Sequence, residues 1–124
     1  MTTVLIVEGD LYLGDSLKRM LNERGYSVNW AKDRYQAVDE LEAFHFDVLI
    51  SDFEFPGGDG IDVIKFAHTN TFFDVLDTDP PDMTILWSGL DRTEEVAKRD
   101  AGKYIDAVLL KGQIDDLLNL LPPA

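Results

Sequence analysis

Short apolar runs rich in β-branched residues alternate along this chain with longer segments whose apolar residues recur at helical spacing. Apolar runs of four to six residues suit strands buried on both faces, and the segments between them carry the stripe of a helix laid on a sheet. Thr3–Val7 (TVLIV) reads as the first strand. Leu13, Leu17, Met20 and Leu21 then mark one helical face, and Gly25 supplies its C-terminal stop. Ser27–Ala31 is the second strand. Asp33 with Gln36 makes a capping box for a helix running through Phe44, with Ala37, Val38, Leu41 and Phe44 on its inner face. Val48–Ser51 forms the third strand and Ile61–Ala67 the next helix. Thr84–Trp87 is the fourth strand, after which Asp91 and Glu94 cap a helix over Thr93–Ala101 that Gly102 ends. Asp106–Leu110 makes the fifth. Ile114, Leu117, Leu118 and Leu121 stripe a final helix stopped by Pro122–Pro123.

Five βα units in succession predict a doubly wound α/β architecture, a five-stranded parallel sheet with helices on both faces. The 124 residues suffice for one such core, and no linker, repeat or low-complexity segment divides them. Residues 1–124 are therefore expected to form a single domain. The irregular stretch is His68–Met83, where Pro80–Pro81 and four Asp interrupt an apolar FFDVL. It reads as a long connection with Phe72, Phe73 and Leu76 partly packed.

A net charge of −13 opposes a nucleic-acid-binding surface, because phosphates are repelled. It fits plain solubility, or carboxylates gathered around a cation or facing a basic partner. The absence of cysteine excludes a disulfide framework and a thiolate metal site, and suits a reducing compartment. MTTVLIVEGD lacks the basic segment of a signal peptide, and no apolar stretch approaches bilayer-spanning length. A cytoplasmic location with no membrane partner is the expectation.

In open parallel sheets, ligands bind beyond the carboxyl ends of the strands, where strand order reverses. Glu8-Gly9-Asp10 follows the first strand, Asp52-Phe53-Glu54 the third, Ser88-Gly89 the fourth and Lys111-Gly112 the fifth. Carboxylates, a hydroxyl and an ammonium thus converge on one edge. Carboxylates this close raise one another's pKa unless a cation neutralises them. Hard oxygen donors of this kind suit Mg²⁺, while a lysine ammonium and a serine hydroxyl can contact phosphoryl oxygens. The set suits a phosphoryl group attached to, or held beside, an aspartate.

The segment Asp52-Phe53-Glu54-Phe55-Pro56-Gly57-Gly58-Asp59-Gly60 resembles the D-x-x-M-P-x-x-D-G segment of response-regulator receiver domains, with Phe55 in the Met place. The likeness covers essentially the whole chain and implies the flavodoxin-like receiver fold. It also implies that Asp52 is the phosphoacceptor, with Ser88 and Lys111 as switch and phosphate contacts. Mg²⁺ would be held by Glu8, Asp10, Asp52 and the backbone carbonyl of Glu54. The implied partners are a histidine kinase or phosphotransfer protein and a downstream protein, dimerisation remaining open. With no output domain after Ala124, signalling is expected to go through protein contacts, and the chain is no enzyme beyond self-catalysed phosphoryl transfer and hydrolysis.

Three departures from the family pattern bear on this. Gly9 stands where the family places a second carboxylate, so weak Mg²⁺ binding is expected. Gly112 stands in place of proline after the lysine, where a trans bond is expected. Val108 occupies the aromatic switch position. A divergent receiver acting as a phosphorylation-independent interaction module therefore stands as the alternative. A flavin carrier or small enzyme on the same fold would need a Ser/Thr/Gly-rich phosphate loop after the first strand, where Glu8-Gly9-Asp10 would repel phosphate. Trp30 and Trp87 read as packing residues, and His45 and His68 as surface or packing residues without a companion at ligand spacing.

Overall fold

Strands with apolar side chains on both faces need cover on both sides, and the chain supplies it by sending helices alternately across the sheet. The computed structural model describes residues 1–55, 57–69 and 79–124. In chain order the elements are β1 (Thr3–Val7), α1 (Leu11–Glu23), β2 (Ser27–Ala31), α2 (Arg34–Ala43) and β3 (Val48–Asp52). Then follow the short β4 (Glu54–Phe55) and β5 (Gly58–Asp59), α3 (Gly60–Thr69), β6 (Met83–Ser88) and α4 (Thr93–Ala97). A 3₁₀ helix (Asp100–Tyr104), β7 (Ala107–Leu110) and α5 (Ile114–Leu120) complete the order.

The five long strands form one parallel sheet in the order β2-β1-β3-β6-β7, as the alternation of elements predicts. Successive side chains point to opposite faces. Val4, Ile6, Val48, Ile50, Ile85 and Trp87 pack with Leu17 and Leu21 of α1 and with Leu117 and Leu121 at α5. Leu5, Val7, Leu49 and Leu86 pack with Ala37 and Leu41 of α2 and with Ile61, Ile64 and Ala67 of α3. Each buried leucine or isoleucine contributes about 1.5–3 kcal/mol over its exposed state, so both layers hold the sheet. Strand order reverses between β1 and β3, which opens a crevice at their carboxyl ends.

Local signals hold where the expected partner lies nearby. Asp33 caps α2 by accepting from the Gln36 amide at 2.8 Å, and the Gln36 side chain accepts from the Lys32 amide at 2.8 Å. The first helix stops before Gly25, and no cis peptide occurs among the described residues.

Elsewhere the boundaries differ from expectation. The second helix stops at Ala43; Phe44 is extended and 54% exposed, and Phe46 fills the buried place instead as the chain enters β3. The helix expected over Thr93–Ala101 is broken into α4 and the 3₁₀ turn, with Gly102 inside that turn. Val96 and Ala101 are both buried. Five residues apart, they would point roughly 140° away from each other on one continuous helix, so the break brings both to the core. Asp91 does not form the expected capping box: it accepts from the Thr93 amide at 3.0 Å, and Glu94 pairs with Lys98. Phe72, Phe73 and Leu76 lie outside the described residues.

Candidate functional site

Asp52 is the last residue of β3, in register with Trp87 of β6, and this places its carboxylate at the carboxyl edge of the sheet. Its Oδ1 accepts from the Phe53 amide at 2.8 Å, which fixes the side-chain rotation. Lys111 Nζ lies 3.2 Å from Oδ2. Lys111 itself follows β7, and its amide donates to the Ser88 carbonyl at 2.8 Å, tying the ends of β6 and β7 together.

The same ammonium meets Glu8. Nζ stands 2.9 Å from Oε2 and 3.2 Å from Oε1. Glu8 is 1% exposed, although it is a carboxylate. Burial pushes its carboxyl above the ordinary range and the Asp52 charge adds to this, against the lowering effects of the Asp10 amide and Lys111. For Lys111, burial opposes the charged ammonium, but the contacts with Glu8 and Asp52 outweigh it and the pKa is raised. Two carboxylates therefore share one ammonium, leaving one net negative charge.

The backbone of Glu8 is held from two sides. Its amide donates to the Ala31 carbonyl at 3.0 Å, and its carbonyl accepts from the Trp30 indole Nε1 at 2.9 Å. Trp30 is thus more than the packing residue expected of it. A tryptophan near the end of a neighbouring strand is a weak signal for such a role, which explains why the sequence did not reveal it.

On the other flank of Asp52 lies a cleft of about 260 Å³ lined by Asp52, Phe53, Glu54, Ser88, Gly89, Leu90 and Arg92. Ser88 is buried, and its Oγ accepts from the Leu90 amide at 3.2 Å. Arg92, not singled out from sequence, lies with its guanidinium carbon 4.6 Å from the Phe53 ring centre. Its position four residues past Ser88, in the same strand-end loop, was the available signal. Beyond Asp52 the chain makes the β4–β5 hairpin, with Gly57 at φ +89° in its turn. It then enters α3 at Gly60, whose amide donates to the Phe53 carbonyl at 2.6 Å.

Two sequence-derived residues sit differently. Asp10 is exposed and its Oδ1 accepts from the Leu13 amide at 3.0 Å, so its carboxylate caps α1. The Glu54 side chain is exposed on β4. Glu8, Asp52 and Lys111 are therefore the site residues whose charged side chains meet directly.

Oxygen-only donors suit a hard cation. Glu8 Oε2 is buried with no hydrogen bond of good geometry, its approach to Lys111 being an ion contact alone. Glu8 and Asp52 thus present the negative charge and the spare lone pairs that Mg²⁺ would use, and the residues fit such an ion.

His45 does have companions in space. Its ligand atoms and those of Asp47 and Asp82 lie within 4.8 Å of one another. The sequence hid this because Asp82 comes from a distant strand entry. These residues precede β3 and β6 and lie at the opposite end of the sheet from Asp52. His68 is a packing residue as expected, stacked on Tyr104 at 4.8 Å.

A family model described as response regulator receiver domain matches residues 4–120. The sensory transduction protein RegX3 of Mycobacterium tuberculosis is 31% identical over 123 residues, covering 94% of this chain and 54% of that protein. The transcriptional regulatory protein QseB of Escherichia coli O157:H7 is 34% identical over 62 residues, half of this chain and 28% of that protein. The chain thus spans about half or less of the length of these relatives. Among solved structures, the response regulator TrrA of Thermotoga maritima, in complex with Mg²⁺-BeF, superposes with a TM-score of 0.77 at 22% identity, covering 96% of this chain and 95% of that one. A CheY-like receiver domain of Methanospirillum hungatei JF-1 gives 0.77 at 26%, covering 96% and 89%.

Proposed function

The chain belongs to the response regulator receiver domain family, and we propose that it accepts a phosphoryl group on Asp52 from the phosphohistidine of a histidine kinase or phosphotransfer protein. The observation that carries this reading is the Lys111 ammonium 3.2 Å from Asp52 Oδ2, with the carboxylate bordering an open cleft.

In the proposed transfer, an Asp52 carboxylate oxygen attacks the phosphorus in line with the donor bond. A new O–P bond forms as the P–N bond of the phosphohistidine breaks, and the electron pair stays on the imidazole nitrogen. The Phe53 amide holds the Asp52 carboxylate in orientation. The Lys111 ammonium would follow the charge developing on the phosphoryl oxygens, and the Ser88 hydroxyl, which lines the same cleft, would donate to one of them. Glu8, Asp52 and the Glu54 carbonyl would hold Mg²⁺, which supplies further neutralisation of the phosphoryl oxygens when bound. Asp10, whose carboxylate caps α1, would join this set only by rotating away from Leu13. Attack of water on phosphorus then breaks the O–P bond, returns the carboxylate and releases inorganic phosphate.

This role needs a cytoplasmic location and protein partners on both sides of the relay, residues 1–124 acting as one receiver unit without direct nucleic-acid contact. No helix among the described residues is long and apolar enough to cross a membrane. A second reading, a receiver working by phosphorylation-independent contacts, is favoured by one observation. With Gly9 lacking a side chain and the Asp10 carboxylate on Leu13, Glu8 alone brings a carboxylate from the β1 end to Asp52.

Mass spectrometry after incubation with acetyl phosphate and Mg²⁺ separates the two. The expected result is one added phosphoryl group on wild type and none on Asp52→Asn. No addition to wild type at any Mg²⁺ level favours the second reading, and addition persisting in Asp52→Asn removes the first.

A further inference from the structure

Among the described residues, Arg92 is the one cation lining the cleft into which Asp52 opens, Lys111 approaching that carboxylate from outside the lining. Its guanidinium stands over the Phe53 ring, 4.6 Å from the ring centre, so the residue following Asp52 sets where the charge sits. Glu95 fixes the other side, accepting from Nη1 at 2.9 Å. Nε is buried and has no hydrogen-bond partner among the described residues. A stacked, charge-paired arginine loses little further freedom when it binds an anion, and its planar donor fork matches phosphoryl oxygens. Gly89, in the same lining, leaves room: a side-chain carbon there would meet nothing within 4 Å.

We propose that Arg92 is a second cationic anchor for the phosphoryl group on Asp52, binding its oxygens from the cleft side while Lys111 binds from the other. This rests on Asp52 being the phosphoacceptor. It gives a physical reason why a pocket poor in metal-ligating carboxylates would still hold a phosphoryl dianion: a fixed guanidinium adds positive charge to that of Lys111.

The test uses beryllofluoride, which adds to an aspartate as a phosphoryl mimic, in calorimetric titrations of the full chain at saturating Mg²⁺. Arg92→Gln is expected to bind it about tenfold more weakly than wild type, the size of one lost charge-assisted contact. Its Mg²⁺ affinity without fluoride is expected to stay unchanged, which a merely structural loss would not give. Arg92→Met keeps the apolar stem over Phe53 and serves as the variant if Arg92→Gln melts early. Lys98→Gln removes a positive charge just past the same helix, away from the cleft, and is expected to bind as wild type does. Equal beryllofluoride affinity in wild type and the Arg92 variants overturns the anchor and leaves Asp52 as acceptor. Failure of wild type both to bind beryllofluoride and to gain a phosphoryl group at Asp52 overturns both. An equal loss in Lys98→Gln reduces the effect to overall charge and also overturns the anchor.

Discussion

Lys111 Nζ stands 2.9 Å from Oε2 of Glu8, a carboxylate that the fold leaves only 1% exposed. A charge so buried depends on its partner. Replacing Lys111 by Met should leave Glu8 unpaired and cost about 1–3 kcal/mol, less than for a fully dry pair because Lys111 is itself partly exposed. Adding Glu8→Gln should recover part of that loss, since the orphaned charge is then gone. Denaturant melts of the two single variants and the double variant measure this; additive losses would mean that the contact carries no coupling.

Gly60 sits where any side chain would strike the end of β3. A carbon added there would lie 2.1 Å from the Asp52 carbonyl oxygen and 3.0 Å from Ser51 Oγ. The first of these is backbone and cannot swing aside. Gly60→Ala should therefore lower stability by about 1–3 kcal/mol and shift Asp52 within its pocket. Thermal melts together with the rate of modification by acetyl phosphate check both effects, and an unchanged rate would show that the hairpin yields instead of β3.

Gly9 has no positive φ, that conformation being confined to Gly25 and Gly57 among the described glycines. An aspartate at this position is therefore free of the left-handed strain that would otherwise oppose it. Gly9→Asp should tighten Mg²⁺ binding and lower stability without metal, because a further carboxylate joins Glu8 and Asp52. Mg²⁺ titration followed by tryptophan fluorescence, with melts at low and high Mg²⁺, reads both. Unchanged affinity would place this position outside the metal's reach.

His68 should make stability depend on pH. Burial holds its pKa below the ordinary 6.5, against a smaller raising effect from Asp106. The folded protein thus binds this proton less readily than the unfolded chain does. His68's contribution is present in full above the unfolded value and is lost as pH falls through 6.5 and then through the depressed folded pKa. Protonation would also charge the nitrogen lying 2.7 Å from Thr84 Oγ1. His68→Phe keeps a ring to stack on Tyr104 and should flatten the loss of stability as pH falls below 6.5 relative to wild type. Parallel slopes for the two proteins would exclude the effect.

The alternation of apolar runs and amphipathic segments determined the five strands, their parallel pairing and the edge on which Asp52, Ser88 and Lys111 appear. These follow from local periodicity, and a strand apolar on both faces has no other stable environment. Boundaries were legible where they depended on contacts within a few residues, as at Asp33 and Gly25. They were not legible where burial of a distant residue decided them. The turn that brings Ala101 into the same core as Val96 breaks a helix that the local sequence would have continued.

The site divides in the same way. Its chemistry was written in the residues that follow each strand, because a strand end exposes whatever comes next. Its pairing was decided only by the tertiary structure. Strand order carries Lys111 from the outer strand to Glu8, 103 residues away, and to Asp52 between them. The hydrogen bond from Trp30 to the Glu8 carbonyl, the turning of Asp10 onto the α1 amides and the seating of Arg92 on Phe53 depend likewise on how helices and loops settle over the sheet. Periodicity records which face of an element is apolar; it does not record which neighbour meets that face, and neighbours set the distances on which charge pairing depends.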